Sequence, residues 1–241
     1  MNIMAIDTSS REGAVCLSMD GEPSCVQHFG QKDSHLVALG SSMDSLLVRC
    51  RIDIQDIDRI AVVSGPGSFT GLRIGMAFVK GIHAALATDV VVMTSLQLLA
   101  HPHLDRDRLV CPMIDARKSE VYTALYRLGN ASAGWSGEPV LSERVVSPRK
   151  LLAEIESTVE GPVLFAGSGV PCYRDVIESS KIQKSFAGEE SNRISLPEFT
   201  RLAAALTPLS SEEILTLEPF YIRSSDAELK LLKSHRTHER N

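Results

Sequence analysis

Hydrophobic positions along this chain change period repeatedly, and each change marks a new element. Residues 2–7 hold Ile3, Met4, Ala5 and Ile6 in one apolar run, the pattern of a buried strand. Residues 14–19 alternate, Asp20-Gly21 has hairpin-turn chemistry, and residues 24–29 form a third strand. Over residues 34–49 the period lengthens. Leu36, Leu39, Met43, Leu46 and Leu47 recur at three- and four-residue spacing, one face of a helix that Asp33 or Ser34 is placed to cap. Ile54 and Ile57 lead into a strand over 59–63. A loop over 64–69, a helix over 70–87 and a strand over 90–93 follow. A short helix over 95–101 is capped by Ser95, with Pro102 beyond its end.

The second half repeats the plan. Strands are predicted over 109–114, 120–128, 139–146 and 163–166, and helices over 148–159, 171–179 and 196–206. The first strand of each half ends in Ile-Asp, at Ile6-Asp7 and Ile114-Asp115. A meander followed by helices, occurring twice, predicts an α/β protein of two similar lobes with a cleft between them. Residues 1–103 with about 208–241 are assigned to an N-terminal, partner-pairing lobe, and 104–207 to a C-terminal lobe. Residues 129–137 are small and polar, an exposed hairpin loop. The end of the chain is polar and basic (Lys230, Lys233, Arg236, Arg240), a solvated tail or a weak contact for RNA or a partner.

Composition narrows the choices. The 241 residues are 44% hydrophobic and 23% charged, which is enough apolar chain for a good core without staples. Five scattered cysteines with no C-x-x-C pair argue against a disulfide scaffold or zinc site and fit the cytoplasm. The N-terminus lacks signal-peptide character, and no apolar run is long enough to span a bilayer. A net charge of −5 is opposite to the basic footprint of a chain that grips RNA alone.

Candidate chemistry is concentrated at residues 64–73, Ser64-Gly65-Pro66-Gly67-Ser68-Phe69-Thr70-Gly71-Leu72-Arg73. A glycine-rich junction between strand and helix presents backbone amides to anions. The segment narrowly misses the dinucleotide, P-loop and nucleophile-elbow patterns, so a tight turn before a capped helix is the competing reading. The helix that follows has almost no polar face. Ile74, Met76, Ala77, Phe78 and Val79 are apolar, and Gly71, Gly75 and Gly81 lie inside it at a propensity cost. It is therefore a central core helix or one shared with a partner chain. Leu36, Leu39, Met43 and Leu46 from the earlier helix, with Gly71, Arg73, Ile74, Gly75 and Phe78, make the candidate pairing surface. Asp7, Thr8 and Ser9, with Gly65, Gly67 and Ser68, are the candidate nucleotide or phosphate loop; their alternative is turn hydrogen bonding. Asp115 and Arg117 either meet across the cleft or form an interlobe ion pair. Glu189-Glu190 reads as a solvated pair. The seven histidines contain neither H-x-x-x-H nor H-E-x-x-H, so no metal site is indicated.

Four strings, IMAIDTSS, GPGSFTGLRIGMAFVKG, IDARKSEVY and EPFYIR, lie in order along nearly the whole chain and resemble the TsaB (YeaZ) family. The resemblance implies an actin/Hsp70-like (ASKHA) two-lobed α/β fold, each lobe a mixed sheet with flanking helices. It implies a non-catalytic scaffold that pairs with TsaD, together with the ATPase TsaE, to place threonylcarbamoyl on the adenosine beside the anticodon of tRNAs. TsaD-like proteins carry a metal-binding H-x-x-x-H where this chain reads Thr94 to His101 without the pair. In similar proteins the helices matching 34–49 and 70–87 form the pairing surface and self-pair into homodimers. The resemblance thus implies no cofactor of this chain's own, ATP being used by the complex, and tRNA met indirectly. Two alternatives stand beside it: an ATP-dependent, kinase-like enzyme of the same fold using Asp7 and Asp115, and a peptidase acting on TsaD.

Overall fold

The computed structural model describes residues 1–30, 35–103, 108–129 and 135–223. The chain opens with β1 (Ile3–Asp7), β2 (Glu12–Met19) and β3 (Glu22–Gly30), followed by α1 (His35–Cys50), β4 (Arg59–Val63), α2 (Phe69–Leu86), β5 (Asp89–Met93) and α3 (Ser95–Ala100). The five strands form one sheet in the order β3-β2-β1-β4-β5, antiparallel through the meander and parallel through β1, β4 and β5.

The plan is then repeated. β6 (Arg108–Asp115), β7 (Val121–Leu128) and β8 (Gly137–Val146) make a second meander, and α4 (Pro148–Thr158), β9 (Val163–Ala166), α5 (Gly169–Glu178) and β10 (Lys184–Phe186) follow. The order β10-β9-β6-β7-β8 is that of the first sheet, with β9 and β10 parallel additions beyond the first strand of the meander. The repeat inferred from periodicity is therefore a repeat of topology. Asp7 and Asp115 end equivalent strands.

Both faces of the first sheet are covered, which is why β1 is buried at every position and apolar from Ile3 to Ile6. Met4, Ile6, Val15, Leu17, Ile60 and Val62 face Leu39, Met43 and Leu46 of α1 and Met76 and Val79 of α2. Ile3, Ala5, Cys16, Ala61 and Val63 face α6 (Leu196–Ala205), through its Leu196, Phe199, Leu202 and Ala203. Arg59 fastens this layer: its Nη1 donates to the carbonyls of Ala203 at 2.7 Å and Leu206 at 3.0 Å.

That packing corrects the expected lobe boundary. α6 lies inside the span 104–207 assigned to the second lobe, yet it covers the first sheet. The crossing back falls near residue 195. An amphipathic pattern says that a helix has a sheet to cover, not which one. Two further differences are local. Thr94, not Ser95, caps α3, in a capping box with Gln97. α7 (Ser211–Thr216), opened by a capping box of Ser210 and Glu213, and the three-residue β10 are additional to the predicted elements. The caps Asp33 and Ser34, most of the loop 129–137 and the basic tail lie outside the described residues.

Candidate functional site

The glycine-rich junction is built for close seating of α2 on the end of β1. Gly65 has a φ of +108°, a conformation that L side chains rarely adopt. A Cβ on Gly67 would overlap the Ser9 carbonyl, one on Gly71 the Thr8 carbonyl, and one on Gly75 the Thr8 hydroxyl. The Ser68 amide donates to the Ser9 carbonyl at 2.6 Å, and the Gly71 amide to Ser68 Oγ at 3.3 Å. Those two amides, which an anion would need, are thus bonded within the chain itself.

This geometry divides the nine candidate pairing residues. Gly71 and Gly75 turn inward onto Thr8, so the reading that they admit a partner helix is corrected: their lack of a side chain serves contacts inside this chain. Leu39, Met43 and Leu46 are 0%, 7% and 0% exposed, because the three- and four-residue spacing marks the face that covers the sheet. Leu36 at 54% exposure and Arg73 are on the surface, with Ile74 and Phe78 half-buried beside them. α2 is therefore not buried all round; Ala77, Gly81, Ala84, Ala85 and Leu86 of its outer face are exposed.

The adjoining face of α1 presents two residues that the core-face pattern passed over. Val37 is 65% exposed and Val48 78% exposed. They are eleven residues apart, three helical turns, so they share one stripe. The signal was present in the sequence as apolar residues off the regular apolar face. Leu215 of α7 is also 69% exposed, beside α2, whose Lys80 donates to the Leu215 carbonyl at 2.9 Å.

At the start of α2 the segment before the chain's end folds back onto the glycine-rich motif. Phe69 stacks on Tyr221 with centroids 4.9 Å apart, the Arg73 guanidinium lies 4.0 Å over Phe69, and Arg73 Nε donates to the Tyr221 hydroxyl at 2.8 Å. Two of the four strings in the resemblance are thereby brought into contact.

Between the lobes runs a groove of two adjoining cavities, about 450 and 680 Å³, that share Ser9, Ser10, Arg11, Pro66, Ile114 and Ser168. Asp7 lines the first, with its carboxyl pushed up by burial against the opposing hydrogen bond from Ser9. Asp115 lines the second. Asp115 and Arg117 do not reach across the cleft as an ion pair. Asp115 Oδ1 accepts from the Arg117 amide at 3.0 Å, within its own turn, and from the Tyr173 hydroxyl at 3.2 Å. Arg223 forms an ion pair with Glu120 at this hairpin and also donates to the Ala116 carbonyl. Arg117, Lys118 and Ser119 all have positive φ.

Among the described residues no group of three or more His, Cys, Asp or Glu side chains is placed to hold a metal ion, and no helix is long and apolar enough to cross a membrane. The stretch from Thr94 to His101 holds α3, a core helix with Leu96 and Ala100 fully buried.

Two lobes of one repeated topology around a cleft make an actin/Hsp70-like (ASKHA) fold. Solved structures agree: YeaZ from Pseudomonas aeruginosa superposes with a TM-score of 0.70 at 24% identity, covering 91% of this chain and 99% of that one. An inorganic polyphosphate/ATP-glucomannokinase from Arthrobacter shares the fold more distantly, with a TM-score of 0.51 at 9% identity over 89% of this chain and 98% of that one. Residues 31–231 match the family model described as TsaD, tRNA N6-adenosine threonylcarbamoyltransferase. The tRNA threonylcarbamoyladenosine biosynthesis protein TsaB of Bacillus subtilis is 30% identical over 240 residues, covering 98% of this chain and all of that protein. The Haemophilus influenzae TsaB is 26% identical over 93% of this chain and 94% of its own length. The chain belongs to this TsaD-type family, in its TsaB (YeaZ) branch.

Proposed function

We propose that this chain acts in threonylcarbamoyladenosine biosynthesis on tRNA as a non-catalytic partner subunit, in the cytoplasm. It pairs with TsaD through the outer face of α1 and α2, TsaE acts on that pair, and tRNA is met through the complex. In the absence of TsaD, a second copy of this chain covers the same face. The names of the relatives support the pathway. The observation that carries the pairing role is that α1 exposes Leu36, Val37 and Val48 while α2, packed beside it, exposes the small residues Ala77 and Gly81. Exposed apolar side chains gathered on adjoining helices mark interaction sites, and small residues among them admit close approach.

The test is reconstitution with tRNA, ATP, the threonylcarbamoyl donor, TsaD and TsaE, each omitted in turn. Modified tRNA is expected only when this chain and TsaD are both present. Product from this chain without TsaD would overturn the non-catalytic reading and favour the kinase-like alternative. Cleavage of TsaD on mixing would favour the peptidase. Full activity without this chain would remove it from the reaction.

A further inference from the structure

Cys25 and Cys50 stand far apart in sequence and meet in the fold. Cys25 lies on β3, an edge strand, directly opposite Leu17 of β2. Opposed residues share a sheet face, and Leu17 belongs to the face that α1 covers. Cys50 is the last residue of α1. Both side chains pack, partly buried, on the same apolar cluster, near enough for each thiol to shift the titration of the other. Arg49 reaches over the pair, with Nη2 donating to the Val26 carbonyl at 3.2 Å. Both cysteines are free thiols.

We propose that Cys25 and Cys50 are a thiol–disulfide exchange site, at which a small-molecule disulfide converts them into an intramolecular disulfide that staples the end of α1 to β3. The Cys25 thiolate attacks one sulfur of the small disulfide RSSR. A Cys25–SR bond forms, the RS–SR bond breaks, and RS⁻ departs with the electron pair to take a proton from water. The Cys50 thiolate then attacks Cys25 Sγ. The Cys25–Cys50 bond forms, the mixed disulfide breaks, and a second RS⁻ leaves. Two protein thiols are oxidised and one RSSR is reduced to two RSH, through the mixed disulfide that such exchange requires.

The surroundings set the order of attack. The neighbouring Cys50 thiol, and then Arg49, hold the Cys25 thiol below its ordinary value, so more of it is thiolate. Burial, and then Cys25 itself, push the Cys50 thiol up to about 11. Capping Cys25 removes its share of that rise and leaves the share due to burial, so Cys50 is a readier nucleophile in the mixed disulfide than in the reduced pair. Cys16 and Cys111 are buried and pushed up to about 12, which keeps them inert. Cys172 is exposed and has no partner thiol among the described residues, so it serves as the internal control. The site is independent of the docking role.

The experiment treats the full-length protein with oxidised glutathione, then maps peptides by mass spectrometry without reduction and follows thermal unfolding. A Cys25–Cys50 crosslinked peptide, short of two hydrogens, is expected. Closing the loop is expected to raise Tm by roughly 5–10 °C, reversibly with dithiothreitol. Cys50→Ser is expected to accumulate the mixed disulfide at Cys25, Cys25→Ser to abolish crosslinking, and Cys172→Ser to leave it intact. Should a serine variant fold poorly, alkylation of the unmodified chain decides: Cys25 and Cys50 must lose reactivity together. Adducts confined to Cys172, a persistent glutathione adduct at Cys25 in the unmodified chain, or an unshifted Tm would overturn the proposal.

Discussion

Gly75 of α2 and Thr8, just beyond the end of β1, pack so closely that a Cβ on Gly75 would overlap the Thr8 hydroxyl. Gly75→Ala gains about 1 kcal/mol of helix propensity and incurs overpacking of about 1–3 kcal/mol. A net loss of up to about 2 kcal/mol is expected from urea unfolding. The Thr8 hydroxyl is buried with no hydrogen-bond partner among the described residues, so Thr8→Ala alone is expected to be nearly neutral. The double variant Thr8→Ala/Gly75→Ala is then expected to be at least as stable as the starting protein. If the two changes simply add, the close contact is not the reason for the glycine.

For the same reason a charge at Gly75 is a poor probe of pairing, because it damages the fold first. Val48→Asp and Ala77→Asp act on exposed positions of α1 and α2. Each is expected to leave Tm within about 1–2 °C, as surface changes do. If these residues are interface anchors, each weakens TsaD binding ~30-fold or more, the equivalent of about 2 kcal/mol. Calorimetric titration of TsaD checks this. Unchanged affinity with both variants would place the docking surface elsewhere.

The same two helices show how much of the site was legible in the sequence. β4 and β9 have the bounds that their apolar runs predict, and α1 and α2 agree within a residue, because periodicity reports burial directly. Periodicity also marks the face that covers the sheet and not the exposed one. Leu39, Met43 and Leu46 repeat regularly because the chain's own sheet needs them, whereas Val37 and Val48 look like isolated exceptions. The glycines mislead in a related way. Their spacing announces a close approach, but only the coordinates show that Thr8 is the approaching group. β10 and α7 are three and six residues long, too short for a period to register. Cys25 and Cys50 become neighbours only when α1 folds onto β3.

Arg59 holds α6 to the first sheet. Besides Ala203 and Leu206, its Nη1 reaches the Ala204 carbonyl at 3.3 Å, and Nη2 pairs with Asp89 at 3.1 Å. Asp89 is half exposed, so the ion pair adds little. The carbonyls matter more, because Arg59→Met leaves the buried Ala203 carbonyl and the part-buried Leu206 carbonyl without their donor at about 1–3 kcal/mol. That loss is expected in urea unfolding, with faster amide exchange along α6 than along α4. Uniform acceleration in both helices would show that Arg59 stabilises the chain globally and does not pin this layer.

Glu143 of β8 joins the two lobes from inside. Its Oε1 accepts from Thr94 Oγ1 and from the Tyr126 hydroxyl, each at 2.5 Å, and its Oε2 is buried. Burial raises the carboxyl above its ordinary 4.5, and the two hydrogen bonds only partly oppose that. The fold therefore favours the protonated form. The contribution of Glu143 to stability is greatest below pH 4.5, declines as pH climbs from 4.5 through the raised folded value, and is flat above it. Arg144 beside it is engaged with Glu154 at 3.0 Å and does not neutralise it. Glu143→Gln keeps an acceptor for both hydroxyls and removes the titration. The Tm of Glu143→Gln minus that of the starting protein is expected to grow across that window and then level off. Asp7, raised by burial in the same direction, is present in both proteins and cancels in the difference. A difference that stays constant with pH, or shrinks as pH rises, would mean that the Glu143 carboxyl is not held protonated by the fold.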